Sequence, residues 1–334
     1  MQKTPHVVIL GGGTGSYVVA SGLNNMPVKI SMLLTMVDDG GSNQTLRDEF
    51  GLLPTSGIRQ AIVALADNQT ILRELFTYRF HQGGKSIEGM TFGNLFMAAM
   101  ADIMGSQKKG IEETCRLLQV KGDIIPVSYD DVRLVATYED GSQVIGEHHI
   151  DEPTHNGKLK ITNLETKPEA KLSPEARQAL LDADLIILGP GDFFTNTIAN
   201  LIIDGVVETI KKSSAKLLFI SNLMTKYGEA YNYTARDYFT DLTKYLPLEE
   251  VDYVLINNNT DFPEGVLPLY EKEHSIPVKD DLKPSDLNGH VKLIRTDLLS
   301  RFTPTKTKGD VLKRSMIRHD PSRLTNAIMK LLKK

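Results

Sequence analysis

The feature that most constrains the fold lies in the first sixteen residues. Val7-Val8-Ile9-Leu10 is a short, continuous apolar run rich in β-branched residues, and Gly11-Gly12-Gly13-Thr14-Gly15-Ser16 follows it directly. A run of that kind is a strand buried on both faces, which is the habit of parallel sheets. Tyr17 to Leu23 then reads as a helix, and Lys29 to Val37 as a second strand that ends in Asp38-Asp39-Gly40-Gly41-Ser42. Strand, glycine turn, helix, strand is a βαβ unit. The expected class is therefore α/β: Rossmann-like, doubly wound, with a mainly parallel sheet.

The rest of the chain follows that rule with one interruption. Gln44–Phe50, Ile58–Ala66, Arg73–Phe80, Asn94–Met104 and Ile111–Leu118 read as helices, with Gly51, Pro54, Gly83-Gly84 and Gly89 between them. His81 falls in a loop. Residues 130–165 break the pattern. Arg133–Tyr138 and Gln143–Ile150 flank Asp140-Gly141, and a further strand runs over Leu159–Leu164, which predicts a small antiparallel hairpin insertion. Parallel strands return at Leu185–Leu188, Leu217–Ile220 and Tyr253–Ile256, ending in Gly189-Pro190-Gly191-Asp192, Ser221-Asn222 and Asn257-Asn258-Asn259. Residues 301–334 carry ten Lys/Arg against two Asp and include an amphipathic stripe at Leu324, Ala327, Ile328 and Leu331. The expected organisation is one domain, 1–334, with the insertion at 130–165 and a basic helical segment at 301–334.

Composition narrows the class. A net charge of −4 gives no field that draws the protein to nucleic acid or to an anionic membrane. A single cysteine, Cys115, precludes an internal disulfide. No apolar run is long enough to span a bilayer, and the N-terminal residues lack the signature of a signal peptide. The expected compartment is the cytoplasm, without membrane insertion.

The candidate chemistry lies on the loops that end the parallel strands. Glycines at 11, 12, 13 and 15 let the backbone approach a phosphate, and the helix that follows offers free N–H groups and a positive dipole end. The dinucleotide fingerprint G-x-G-x-x-G is incomplete, because Ser16 stands at its third glycine; an NAD(P) site remains an alternative. Asp38 and Asp39 suit either a ribose hydroxyl or a hard cation such as Mg²⁺ beside a phosphate. Gly189, Pro190, Gly191, Asp192 and Thr195 repeat the strand–glycine–helix arrangement. Two such loops in one sheet imply a shared crevice beyond the carboxyl ends of the strands, where Asn94, Asn222 and Thr225 also belong. Arg47 and Arg59 are candidate phosphate clamps. No Ser-His-Asp, Cys-His or zinc-type cluster stands out, so no catalytic residue is assigned.

In order along the chain stand Gly11–Ser16, Val37-Asp38-Asp39-Gly40-Gly41-Ser42, Leu46-Arg47-Asp48-Glu49-Phe50-Gly51-Leu52-Leu53-Pro54, Gly93-Asn94-Leu95, Ala183–Gly191 and Asn222-Leu223-Met224-Thr225. By this ordered set the chain resembles the YvcK/CofD superfamily, most closely its gluconeogenesis factor branch, over residues 6 to 330. The resemblance implies a cytoplasmic protein that binds UDP-sugars and is required for normal cell shape during gluconeogenic growth. Its CofD branch implies an alternative: Mg²⁺-dependent transfer of a phospholactyl group from a guanosine diphosphate-linked donor to a deazaflavin alcohol. By position, the loops at Gly11–Ser16 and Gly189–Thr195 would hold the nucleotide, and Asp39 would be the carboxylate on metal or substrate. The expected partners are a nucleotide or nucleotide sugar, a second copy of the chain, and regulatory proteins; Mg²⁺ is the one candidate cofactor. Asp192 departs from the family pattern, which has serine there. Thr303, Thr305 and Thr307, in a Thr/Lys-rich segment, are candidate phosphorylation sites.

Overall fold

The structure, a computed structural model, describes residues 3–66, 70–84, 87–301 and 316–332. Ten strands form two sheets: β1 (His6–Gly11), β2 (Lys29–Leu34), β3 (Asp123–Pro126), β4 (Arg133–Tyr138), β5 (Gln143–Ile145), β6 (Ile161–Lys167), β7 (Leu185–Leu188), β8 (Lys216–Ile220), β9 (Tyr253–Asn257) and β10 (Lys292–Thr296). The larger sheet has the order β10-β9-β8-β7-β1-β2-β3, and every pairing in it is parallel. The smaller one, β5-β4-β6, is antiparallel. The strand sequence reverses direction at β1, between β2 and β7. That is the switch point of a doubly wound sheet, where a crevice opens beyond the strand ends.

The alternation along β1 explains the two-sided core. Val8 and Leu10 pack on one face with Ile186, Leu188, Phe219 and the apolar side of the small sheet at Leu134, Ala136 and Tyr138. Val7 and Ile9 pack on the other with Met32, Leu34, Ile187 and the helices α1 (Gly13–Leu23) and α3 (Ser56–Leu65). Side chains two apart share a face, so a fully apolar strand needs cover on both. Two further helices, α2 (Gly41–Phe50) and α4 (Thr70–Thr77), flank α3, and α5 (Phe92–Met104) and α6 (Gln107–Leu117) follow. The amphipathic stripe near the end of the chain is a helix, Pro321–Leu332, whose Leu324 and Ile328 join the second face beside α1. Thr303, Thr305 and Thr307 lie outside the described residues.

Four departures from the sequence expectations have local causes. The second strand stops at Leu34, three residues before Val37. Leu34 pairs with Gly11 on one side and Pro126 on the other, and both neighbouring strands end there. β3 and β10 were not expected; β10 is a half-exposed edge strand with polar ends. The stretch read as strand Gln143–Ile150 is strand only to Ile145. Gly146, at φ +102°, turns the chain, and α7 (Glu147–Asp151) follows. Phe193–Ile198 forms a π-helical turn, a form that recurs at functional sites.

Candidate functional site

The two glycine loops meet at the switch point and are built into each other. β1 ends at Gly11 beside Leu34, and Leu10 pairs with Leu188, the last residue of β7. A Cβ on Gly15 would sit 2.5 Å from the Pro190 carbonyl oxygen, and one on Gly191 2.7 Å from that of Gly12. These glycines are therefore needed for loop–loop contact, apart from any ligand. Ser16 is fully buried and its hydroxyl donates to the Pro190 carbonyl at 3.1 Å. The residue at the third fingerprint position thus ties the first loop to the second. Asn200 donates to the Gly11 carbonyl at 3.3 Å, and Asn222 to that of Gly191 at 2.8 Å. Gly13 adopts φ +68°, which favours glycine.

A cleft of about 680 Å³, counted out to its open mouth, lies over these loops. Of the residues expected at the site, Gly11, Gly12, Gly13, Asp38, Asp192 and Thr195 line it. Thr14, Gly15, Ser16, Gly189, Pro190 and Gly191 form the loops behind, and Asn222 braces them. Asp39 turns away from the cleft. Its carboxylate accepts the His148 N–H at 2.9 Å, capping α7, and stands 3.7 Å from the Arg133 guanidinium. Of the acidic pair, Asp38 is the residue in the lining; it accepts from Asn43 Nδ2 at 2.6 Å and from Gly40 N–H at 3.0 Å. Asn94 is buried at the start of α5, where its side chain donates to Ser56 Oγ at 3.4 Å. Thr225 is pinned to the segment at 275–276, accepting from Ile276 N–H at 3.0 Å. Arg47 clasps the Met36 and Val132 carbonyls and Asp131, a structural tie between the second strand end and the insertion. Arg59 is buried on α3.

The lining also holds residues that sequence reasoning missed: Tyr17, Gln60, Glu147, Asp151 and Asn196. Glu147 and Asp151 are carboxylates four apart, on the first and last residues of α7. That spacing was visible in the sequence, but the expected strand over Gln143–Ile150 held Glu147 and ended before Asp151, so nothing joined the two. Behind the lining, Lys226 and Glu229 complete an ionic cluster. The Lys226 ammonium pairs with Asp151, lies 3.1 Å from Asp192 and 3.9 Å from Glu229. Glu229 is wholly buried and accepts from Phe194 N–H at 2.8 Å and the Thr195 hydroxyl at 2.7 Å.

The two walls of the cleft differ electrostatically. The N-terminus of α1 carries no side-chain cap and no acidic residue in its first turn. Its orphan N–H groups and dipole face the cleft, ready for an anion. The opposite wall is acidic. Burial raises the Asp38 carboxyl, and raises Asp192, where Lys226 opposes the rise. Burial, then the charges of Asp38 and Asp151, lift Glu147 well above the usual carboxylate range. Burial pushes Glu229 up to about 7. Carboxyls held in this way need either protons or a cation. Asp151, Asp192 and Glu229 present oxygens within 4.8 Å of one another, but the Lys226 ammonium already stands among them. Among the described residues Asp38 and Glu147 form no ion pair, although the Lys226 charge acts on Glu147. With Asp192 they line the cleft as hard oxygen donors, so the chemistry of the donors present suits Mg²⁺, without their oxygens standing as close together as those of Asp151, Asp192 and Glu229.

A parallel, doubly wound sheet with paired glycine loops at its switch point defines a Rossmann-like α/β protein whose crevice is anion-receptive on one wall and acidic on the other. The chain belongs to the YvcK/CofD family: the family model described as 2-phospho-L-lactate transferase CofD matches residues 7–299. It is 34% identical to the gluconeogenesis factor of Bacillus subtilis over 333 residues, covering all of both chains. It is also 34% identical to that of Halalkalibacterium halodurans, covering 98% of this chain and 97% of the relative. A crystal structure of a UPF0052-family protein from Bacillus halodurans superposes with a TM-score of 0.87 at 32% identity, covering 98% of this chain and all of that one. Among the described residues no helix is long and apolar enough to cross a membrane.

Proposed function

We propose that the cleft binds a nucleotide-linked diphosphate of the UDP-sugar class, and that the protein acts in the cytoplasm as a nucleotide-sugar-responsive regulator of envelope metabolism and cell shape. The observation that carries this reading is the pairing of an uncapped α1 N-terminus, over Gly11, Gly12 and Gly13, with the acidic wall opposite. A diphosphate on the glycine wall, facing Asp38, Glu147 and Asp192, is favourable only with a cation between them. When bound there, Mg²⁺ supplies that charge and orients the phosphate oxygens. The gluconeogenesis factor names of the relatives support the regulatory role.

The acidic wall also favours a second reading. In it the same carboxylates serve a CofD-type transfer, with the phospholactyl donor's diphosphate on the glycine loops. An NAD(P) site has less support, since Ser16 is committed to Pro190. Calorimetry with UDP-N-acetylglucosamine, GDP and NAD, each with and without Mg²⁺, separates the readings. The first predicts Mg²⁺-strengthened binding of the UDP-sugar, lost in Gly13→Val. No UDP-sugar binding at millimolar concentration would sink it. Turnover of a phospholactyl donor with a deazaflavin alcohol would establish the second.

A further inference from the structure

Among the described residues, Arg59 is the one candidate phosphate clamp with no partner to explain it. The residue is 6% exposed. Its Nε is sealed from solvent with no acceptor. Among the described residues neither terminal nitrogen has a hydrogen bond or a carboxylate. An unpaired buried guanidinium is strongly unfavourable. Burial, followed by the charge of Arg79, lowers its pKa to about 10, the direction expected where no anion is at hand.

The surroundings show where this charge is held. Arg59 lies along the first turn of α5, and a Cβ on Gly93 would sit 2.8 Å from its Cδ. Glycine at 93 is what lets the side chain pass. Arg79 is fixed beside the same turn. Its backbone bridges to Thr91, the N-cap of α5, and Phe92 N–H bonds to the Tyr78 carbonyl at 2.8 Å. The Arg79 guanidinium donates to the Gly89 carbonyl. At the α5 N-terminus the Phe92 N–H goes to Tyr78 and the Asn94 N–H to the Thr91 hydroxyl, so among the described residues the Gly93 N–H is the one left beside Arg59. The place adjoins the cleft without being part of its lining. Tyr17, Gly57 and Gln60 line the cleft, and Tyr17 and Gly57 bond to each other at 3.1 Å. A hydrogen-bonded chain runs from Asp38 through Asn43 and Ser56 to Asn94.

We propose that Arg59 and the Gly93 N–H, with Arg79 beside them, form a second anion site, distinct from the glycine loops, that takes a phosphate group. The oxygens of a tetrahedral oxyanion can meet a guanidinium fork and a backbone N–H at a helix start together. The inference does not depend on what the glycine loops bind.

Thermal unfolding of the full chain against inorganic phosphate, at constant ionic strength in chloride, tests it. The wild-type chain is expected to show a saturable rise in melting temperature. Arg59→Met should weaken phosphate binding by about tenfold or more, while melting in phosphate-free buffer at the same or a higher temperature. Gly13→Val, which blocks the first loop, should keep the phosphate response. Arg79→Met, at a half-exposed position, should weaken the response as well, and it supplies the result if Arg59→Met does not fold. The proposal is overturned if the wild-type response does not saturate, or if it persists unchanged in the arginine variants. It is also overturned if the response disappears in Gly13→Val alone.

Discussion

Glu229→Gln isolates the titration that the structure ties most closely to stability. Glu229 is wholly buried, holds the turn at Phe194–Thr195, and has its carboxyl pushed by burial from 4.5 to about 7. A carboxyl with a higher pKa folded than unfolded favours folding in its protonated form. That contribution is full below about 4.5 and is lost as pH rises through about 7. At 1.36 kcal/mol per unit, the loss from this one group between pH 5 and pH 8 comes to about 2.5 kcal/mol. Asp38, Glu147 and Asp192 are shifted in the same direction, so the wild-type chain should lose more than this over the range. Glutamine keeps the shape and an acceptor for the Phe194 N–H, and does not titrate. Urea unfolding at pH 5, 6, 7 and 8 should show a pH-dependent loss smaller in the variant by about 2 kcal/mol. Parallel curves for the two proteins would mean instead that Glu229 is ionised across the range.

Lys226→Met removes the ammonium that faces Asp151, Asp192 and Glu229, and should cost about 3–5 kcal/mol at pH 8; part should return at pH 5 as the carboxyls protonate, as urea unfolding at both pH values will show. Asp38→Asn should reduce the Mg²⁺-dependent part of ligand affinity by about tenfold, read by calorimetry. Asp39→Asn should leave that affinity alone, because an amide oxygen can still accept the His148 N–H; the reverse ranking would return the role to Asp39. Gly15→Ala puts a methyl group against the Pro190 backbone and should cost about 1–3 kcal/mol by thermal unfolding, whereas a neutral change would mean that the loops are not in contact.

What the sequence made legible was whatever local pattern determines. The β1–α1–β2 unit and the second glycine loop could be read because continuous apolar runs and glycines act over a few residues. The acidic wall could not be read in the same way. α7 exists because Gly146 reverses the chain and because Asp39, 109 positions earlier, caps it; no window around Glu147 contains that partner. Lys226 and Glu229 reach the cleft only through pairing with Asp151, Asp192 and Thr195, which are distant in sequence. The choice between Asp38 and Asp39 likewise turned on which carboxylate the insertion claims. The resemblance named the family, while the contacts decided which of its residues face the crevice.

One ligand in the cleft over the two interlocked glycine loops should touch both of them. Hydrogen exchange of the full chain, with and without saturating UDP-N-acetylglucosamine and Mg²⁺, tests it most directly. The peptides covering Gly11–Tyr17 and Gly189–Asn196 should gain protection together. Protection confined to peptides away from both loops, with these two unchanged, would contradict it.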